Sequence, residues 1–144
     1  MLASLIHDGG ALYSALLVTL RICFSALALA SFTAFALAVL FAQSRWAERA
    51  FFPLAVILQV TPIIAIAPFL LIYLPNSDLA VIICAAIVAF FPILANTLHG
   101  LISVDRRHLD LFHLYRASTW QILWKLRLPA ALPSIMTGLR IAGG

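Results

Sequence analysis

The apolar and polar positions of this chain fall into three uncharged runs separated by short polar breaks. The runs cover residues 22–42, 51–74 and 79–103. Each is long enough to cross the hydrocarbon of a bilayer, which takes about 20 residues as a helix. The second is interrupted by Pro53, Pro62 and Pro68, and the third carries Pro92 followed by Asn96 and Thr97. Apolar character also precedes the first run, over 11–20, but Arg21 separates the two. An arginine at mid-membrane depth costs about 2.5–3.5 kcal/mol on the insertion scale. Arg21 is therefore expected at the membrane interface, with the preceding segment lying on the membrane or against a neighbour.

The pattern changes after the third run. Over 103–127, Leu109, Phe112 and Tyr115 recur at helical spacing, and so do Trp120, Leu123 and Trp124. Between the two groups, Ser118 and Gln121 have the spacing of a capping box, in which hydroxyl and amide each satisfy an orphan helix donor. The spacing predicts two short amphipathic helices, the second starting near Thr119. It is expected to end before Pro129, because proline disfavours helical dihedrals in the residue before it. Residues 128–144 begin like another membrane helix, interrupted by Arg140, and are too short to span; a chain truncated at its C-terminus is the expectation.

Composition and charge place this pattern in a solvent and give it a direction. Hydrophobic residues make up 65% of the chain and charged residues 10%, against about 25% charged in a soluble domain. Mean hydropathy is +1.11. A water-soluble fold of this size cannot hide so much apolar surface, so the fold class is all-α and polytopic transmembrane. Arg45 and Arg49 follow the first run, and five of the nine basic residues lie between Arg106 and Arg127. The turn between the second and third runs carries no base and one acid, Asp78. Positive loops stay cytoplasmic. The runs should cross inward, outward and inward again, leaving 104–127 in the cytoplasm. The basic cluster concerns membrane orientation or a protein partner before nucleic acid.

Little in the chain points to catalysis. No phosphate-binding loop, nucleophile elbow or HExxH motif is present. His108 and His113 stand five apart, off the spacing that shares a metal, and Cys23 and Cys84 read as small packing residues. Residues 1–10 lack a basic segment and a small-residue cleavage site and contain Asp8, so they are not expected to form a signal peptide. Gln59, Thr61, Asn96 and Thr97 are expensive in lipid, and are candidates either for a translocation path or for hydrogen bonds between helices. The amphipathic pair is open to two readings as well: interfacial helices binding anionic lipid on a non-transporting scaffold, or a docking element for a soluble partner.

The run LFHLYRASTWQILWKLRLPAALPSIMTGLRIAGG resembles the coupling loop and following helix of ABC importer permeases, the membrane subunits of binding-protein-dependent uptake systems. The family pattern is Glu-Ala-Ala, three residues, Gly, nine residues, Ile, one residue, Leu-Pro. Anchored on Leu128 and Pro129, it puts Leu126 at the isoleucine, Arg116 at the glycine and Asp110 at the glutamate. LQVTPIIAIAPFLLIY and AFFPILANTLHGLISVD are similar to the branch that imports nitrate, sulfonates, taurine and pyrimidines, closest to permeases for hydroxymethylpyrimidine. The resemblance implies a type I importer-like core over 1–144, itself no enzyme and with no cofactor. It also implies an ATP-binding cassette ATPase, a periplasmic or lipid-anchored binding protein and a second permease subunit, as a homodimer, for partners. Asp110, Arg116, Ala117, Ser118 and Gln121 would contact the ATPase, and Leu128 and Pro129 would set the exit into the next helix. Leu111 and Phe112 replace the two alanines. Arginine takes a positive φ only at a cost, so either ordinary dihedrals or an altered docking geometry is expected at Arg116.

Overall fold

The computed structural model describes residues 9–44, 46, 49–50, 53, 56–57 and 63–144. The described elements are all helical: α1 (Gly9–Gln43), α2 (Ile63–Tyr73), α3 (Ser77–Ile102), α4 (Arg106–Leu114), α5 (Thr119–Ile122) and α6 (Leu128–Gly143). Among them, α1 and α3 are long and apolar enough to cross a membrane.

Helices α1 and α3 lie against each other through small side chains. Ala26, Ala30, Ala34 and Ala38 recur every fourth residue along one stripe of α1 and are all buried. They share a core with Ala86, Ala89, Ile93, Leu98 and Leu101 of α3. Lipid tails are as apolar as leucine, so helix association in a membrane comes from close van der Waals approach, which small residues allow. The other face of α1 carries Phe24, Leu29, Phe32 and Leu40, all exposed. That face is suited to hydrocarbon.

The third member of the bundle is α6, which runs antiparallel to α3. A Cβ placed on Gly100 would come within 2.8 Å of Ser134 Cβ and 3.0 Å of Ala131 Cβ, and one on Gly138 within 3.0 Å of Asn96 Cβ and 3.1 Å of the Pro92 carbonyl oxygen. Glycine at these two positions lets the backbones meet. The register also shows that α6 climbs back along α3 from the cytoplasmic end of Ile102 towards Pro92.

Two expectations about helix ends are corrected. The segment before Arg21 does not lie apart, because α1 is one helix of 35 residues, about 52 Å long against about 30 Å of hydrocarbon. Nothing in 11–20 breaks a helix, and the arginine needs only to be at the right level. A cleft that Arg21 and Ile22 share with Pro75, Asn76, Ser77 and Asp78 sets that level at the outer turn before α3. Arg21 thus lies level with the turn before α3, with the first turns of α1 projecting beyond it. Of the second apolar run, α2 with Pro68 inside it is described, and Gln59, Thr61 and Pro62 lie outside the described residues.

The second correction concerns Pro129. The helix begun at Thr119 does not stop there; it passes through a π turn, Leu123–Arg127, into α6. Leu128 has helical dihedrals (φ −66°, ψ −48°) and donates its N–H to the Leu123 carbonyl, five residues back. Proline in a regular helix removes a donor and clashes with the carbonyl four residues earlier. One extra residue in the preceding turn widens the helix where the ring would collide, and the chain continues.

Candidate functional site

The cytoplasmic segment is built from local signals. Asp105 caps α4 by accepting from the Arg107 N–H at 3.0 Å. None of the nine residues of α4 is buried. Asp110 is exposed on it, and Leu109 and Phe112 are half-buried. The helix ends in paired reverse bonds: Arg116 N–H donates to the His113 carbonyl at 2.9 Å, and Ala117 N–H to the Phe112 carbonyl at 3.0 Å. This helix ending requires a left-handed residue at its hinge, usually glycine.

Arg116 is that residue, with φ 51°. The ordinary dihedrals expected as one alternative are therefore not what the turn adopts: it keeps the left-handed dihedrals a glycine would give, and the arginine bears the strain, about 1–2 kcal/mol. Ser118 follows at once in an extended conformation and closes the capping box expected from the sequence. Its N–H donates to Gln121 Oε1 at 2.8 Å, and Gln121 N–H donates to Ser118 Oγ at 3.3 Å. Two opposed helix caps back to back make a rigid corner out of exposed residues.

The corner brings Arg116, Ala117, Ser118 and Gln121 together. A shallow groove beside them is lined by Leu111, Phe112, Tyr115, Ala117, Gln121 and Lys125. Tyr115 is 81% exposed, and Leu114, Trp120 and Trp124 are exposed as well. Asp110 lies on α4 before the corner. Leu128 and Pro129 are apart from it, at the start of α6, where the π turn sets the helix direction. The surface holds aromatic, apolar and basic groups, the residue types that docking surfaces favour.

Inside the membrane bundle the candidates separate. Asn96 is half-buried, and its Nδ2 donates to the Pro92 carbonyl at 2.8 Å. Thr97 is fully enclosed, and its Oγ1 has no partner among the described residues. Gln59 and Thr61 lie outside the described residues.

Two arginines gain roles that periodicity did not reveal. Arg127 donates from Nη1 to the Ala42 carbonyl at 2.7 Å. This carbonyl lies in the last turn of α1, where helix acceptors have no partner of their own, and a cation there also complements the helix dipole. The pair spans 85 residues of sequence and no local signal predicts it. Arg140 is exposed on α6 two residues beyond Gly138. Because Gly138 lies against Pro92 and Asn96, Arg140 is roughly 15 Å along the bundle from the Ile102 end of α3.

Comparison with known proteins accounts for the architecture. Residues 26–144 match the family described as binding-protein-dependent transport system inner membrane component. The chain is 37% identical over 124 residues to the formylaminopyrimidine transport permease protein ThiX of Halalkalibacterium halodurans, covering 86% of this chain and 50% of that protein. It is 35% identical to the permease protein SsuC of Escherichia coli, named for aliphatic sulfonates, over 70% of this chain and 38% of the relative. It is 32% identical to the bicarbonate transport system permease protein CmpB of a Synechocystis strain, over 67% and 35%. The chain thus spans half or less of the length of these relatives. With its apolar helices and a family match over 26–144, the chain belongs to the family of binding-protein-dependent transport system inner membrane components.

Proposed function

We propose that this chain supplies the coupling half of an ABC importer permease. In this reading its cytoplasmic corner docks in a groove of an ATP-binding cassette ATPase and transmits the closure of the ATPase dimer to the membrane helices. The observation that carries the reading is the corner itself, an unburied α4 ending in a left-handed Arg116 and abutting the Ser118 capping box at the cytoplasmic end of α1 and α3. Asp110, Arg116, Ala117, Ser118 and Gln121 form the contact. The continuous helix from Thr119 through the π turn into α6 is a mechanical link from the contact to the bilayer, the kind of packed element that moves as a body.

The substrate is a small polar solute, and a pyrimidine is favoured by the 37% identity to a formylaminopyrimidine permease over 86% of this chain. Sulfonate or bicarbonate fits the more distant relatives. Asn96 and Thr97 of α3 and Arg140 of α6 are the candidates for a translocation path, since polar and ionisable groups inside a membrane belong to functional sites by default. A second permease subunit, as a homodimer, and an extracytoplasmic binding protein complete the proposed assembly. The test is co-purification of an ATP-binding cassette ATPase with this chain from detergent extract. Ser118→Ala and Asp110→Asn should each reduce the recovered ATPase severalfold with membrane insertion intact. Undiminished recovery with both variants would refute the coupling role.

A further inference from the structure

A cleft of about 500 Å³ opens at the cytoplasmic ends of the helices, on ground the docking corner does not use. Its charged lining consists of Arg49, Arg106 and Arg127, and its apolar lining includes Phe41, Ile102 and Leu109. No acidic side chain lines it among the described residues. Three like charges around one cavity repel each other, and two local features add to the imbalance. Arg127 is held through Nη1 on the Ala42 carbonyl while its Nε is enclosed and has no partner among the described residues. A buried donor without an acceptor is destabilising. Arg106 and Arg107 occupy the first turn of α4, where the helix dipole favours an anion and disfavours a cation. An oxyanion in the cleft relieves all three.

The position of the cleft selects the oxyanion. Its walls are the last turns of α1 and α3, which puts it at the boundary between hydrocarbon and cytoplasm, where phospholipid phosphates lie. Guanidinium groups match phosphate oxygens in a planar, two-point geometry. Basic pockets between membrane helices on the cytoplasmic side are suited to anionic headgroups. The apolar lining suits the glycerol and upper acyl carbons of the same molecule. We propose that this cleft binds the phosphate headgroup of an anionic phospholipid of the inner leaflet, with Arg49, Arg106 and Arg127 as its ligands. The lipid then ties the start of α4 to the end of α1, across the joint that Arg127 already bridges. This site stands whether or not α4 docks on an ATPase.

The chain in detergent, titrated with phosphatidylglycerol or with phosphatidylcholine of the same acyl chains and read by native mass spectrometry, tests the site. Phosphatidylglycerol should bind about tenfold more tightly than phosphatidylcholine. The double variant Arg49→Gln/Arg106→Gln should lose about tenfold in phosphatidylglycerol affinity with phosphatidylcholine unchanged. Arg107→Gln removes a charge from the same segment outside the cleft and should change the affinity less than about twofold. Arg49→Lys/Arg106→Lys, which keeps the charge but not the planar two-point geometry, should bind phosphatidylglycerol more tightly than the glutamine pair and less tightly than the parent chain, so a loss caused by misfolding is recognised. An equal loss in Arg107→Gln, absence of a phosphatidylglycerol preference, or displacement of the bound lipid by millimolar inorganic phosphate would overturn the proposal.

Discussion

Helices α1, α3 and α6 meet through residues with almost no side chain, whereas the segment from Asp105 to Gln121 is held by hydrogen bonds between neighbours in sequence. In the bundle, the alanine stripe of α1 and the glycines at 100 and 138 bring backbones together, and the gain is dispersion distributed over many contacts. In the cytoplasmic corner, the Asp105 cap, the reverse bonds ending α4 and the Ser118 box satisfy donors one at a time. The difference follows from solvent. Lipid offers no hydrophobic force between helices, so only fit holds them. Water competes for every exposed donor, so a short helix there persists where its ends are capped.

If that contrast is right, enlarging a glycine in the bundle has the largest effect. Gly100→Leu should lower stability by about 3 kcal/mol, since its first added carbon already meets Ser134 at 2.8 Å. Thermal unfolding in detergent measures it, and an unchanged melting temperature would dissolve the contrast. Next comes the joint between the two regions. Arg127→Met strands the Ala42 carbonyl and should cost about 1–3 kcal/mol, read as faster proteolysis after Gln43. Ser118→Ala removes a cap worth about 1 kcal/mol. Hydrogen exchange at the Gln121 amide should quicken, while the bundle melts as before. The smallest effect has the opposite sign. Arg116→Gly removes left-handed strain and should steady the turn by about 0.5–1 kcal/mol, seen as slower exchange at the Ala117 amide. Faster exchange there would mean that the arginine side chain holds the turn.

The legible parts of this chain were those where one short window contains the whole cause. The third apolar run appears as α3 within two residues of its expected start. The Ser118 and Gln121 box was readable because both partners lie within four residues. The end placed before Pro129 failed because proline disfavours, but does not forbid, a helix when the turn before it can widen by one residue. The break placed at Arg21 failed for a related reason: an arginine constrains depth in a membrane, not helix continuity. Arg116 shows a third limit. Its position in the resembling motif was apparent, but whether the turn would change for the arginine or the arginine would strain for the turn depended on the bonds to His113 and Phe112.

Hydrophobicity along the chain was enough by itself to determine the solvent and the long helices, and charge the cytoplasmic place of the basic segment, because each is a property summed over local residues. The return of α6 along α3, the position of Arg140 beside the middle of α3, the Arg127 bridge to Ala42 and the three-arginine cleft were decided only by the tertiary structure. Each depends on which backbone surfaces can approach, and the residues that permit approach, Gly100, Gly138 and the alanines of α1, leave hardly any mark in hydropathy. Small side chains decide packing because of what they leave out.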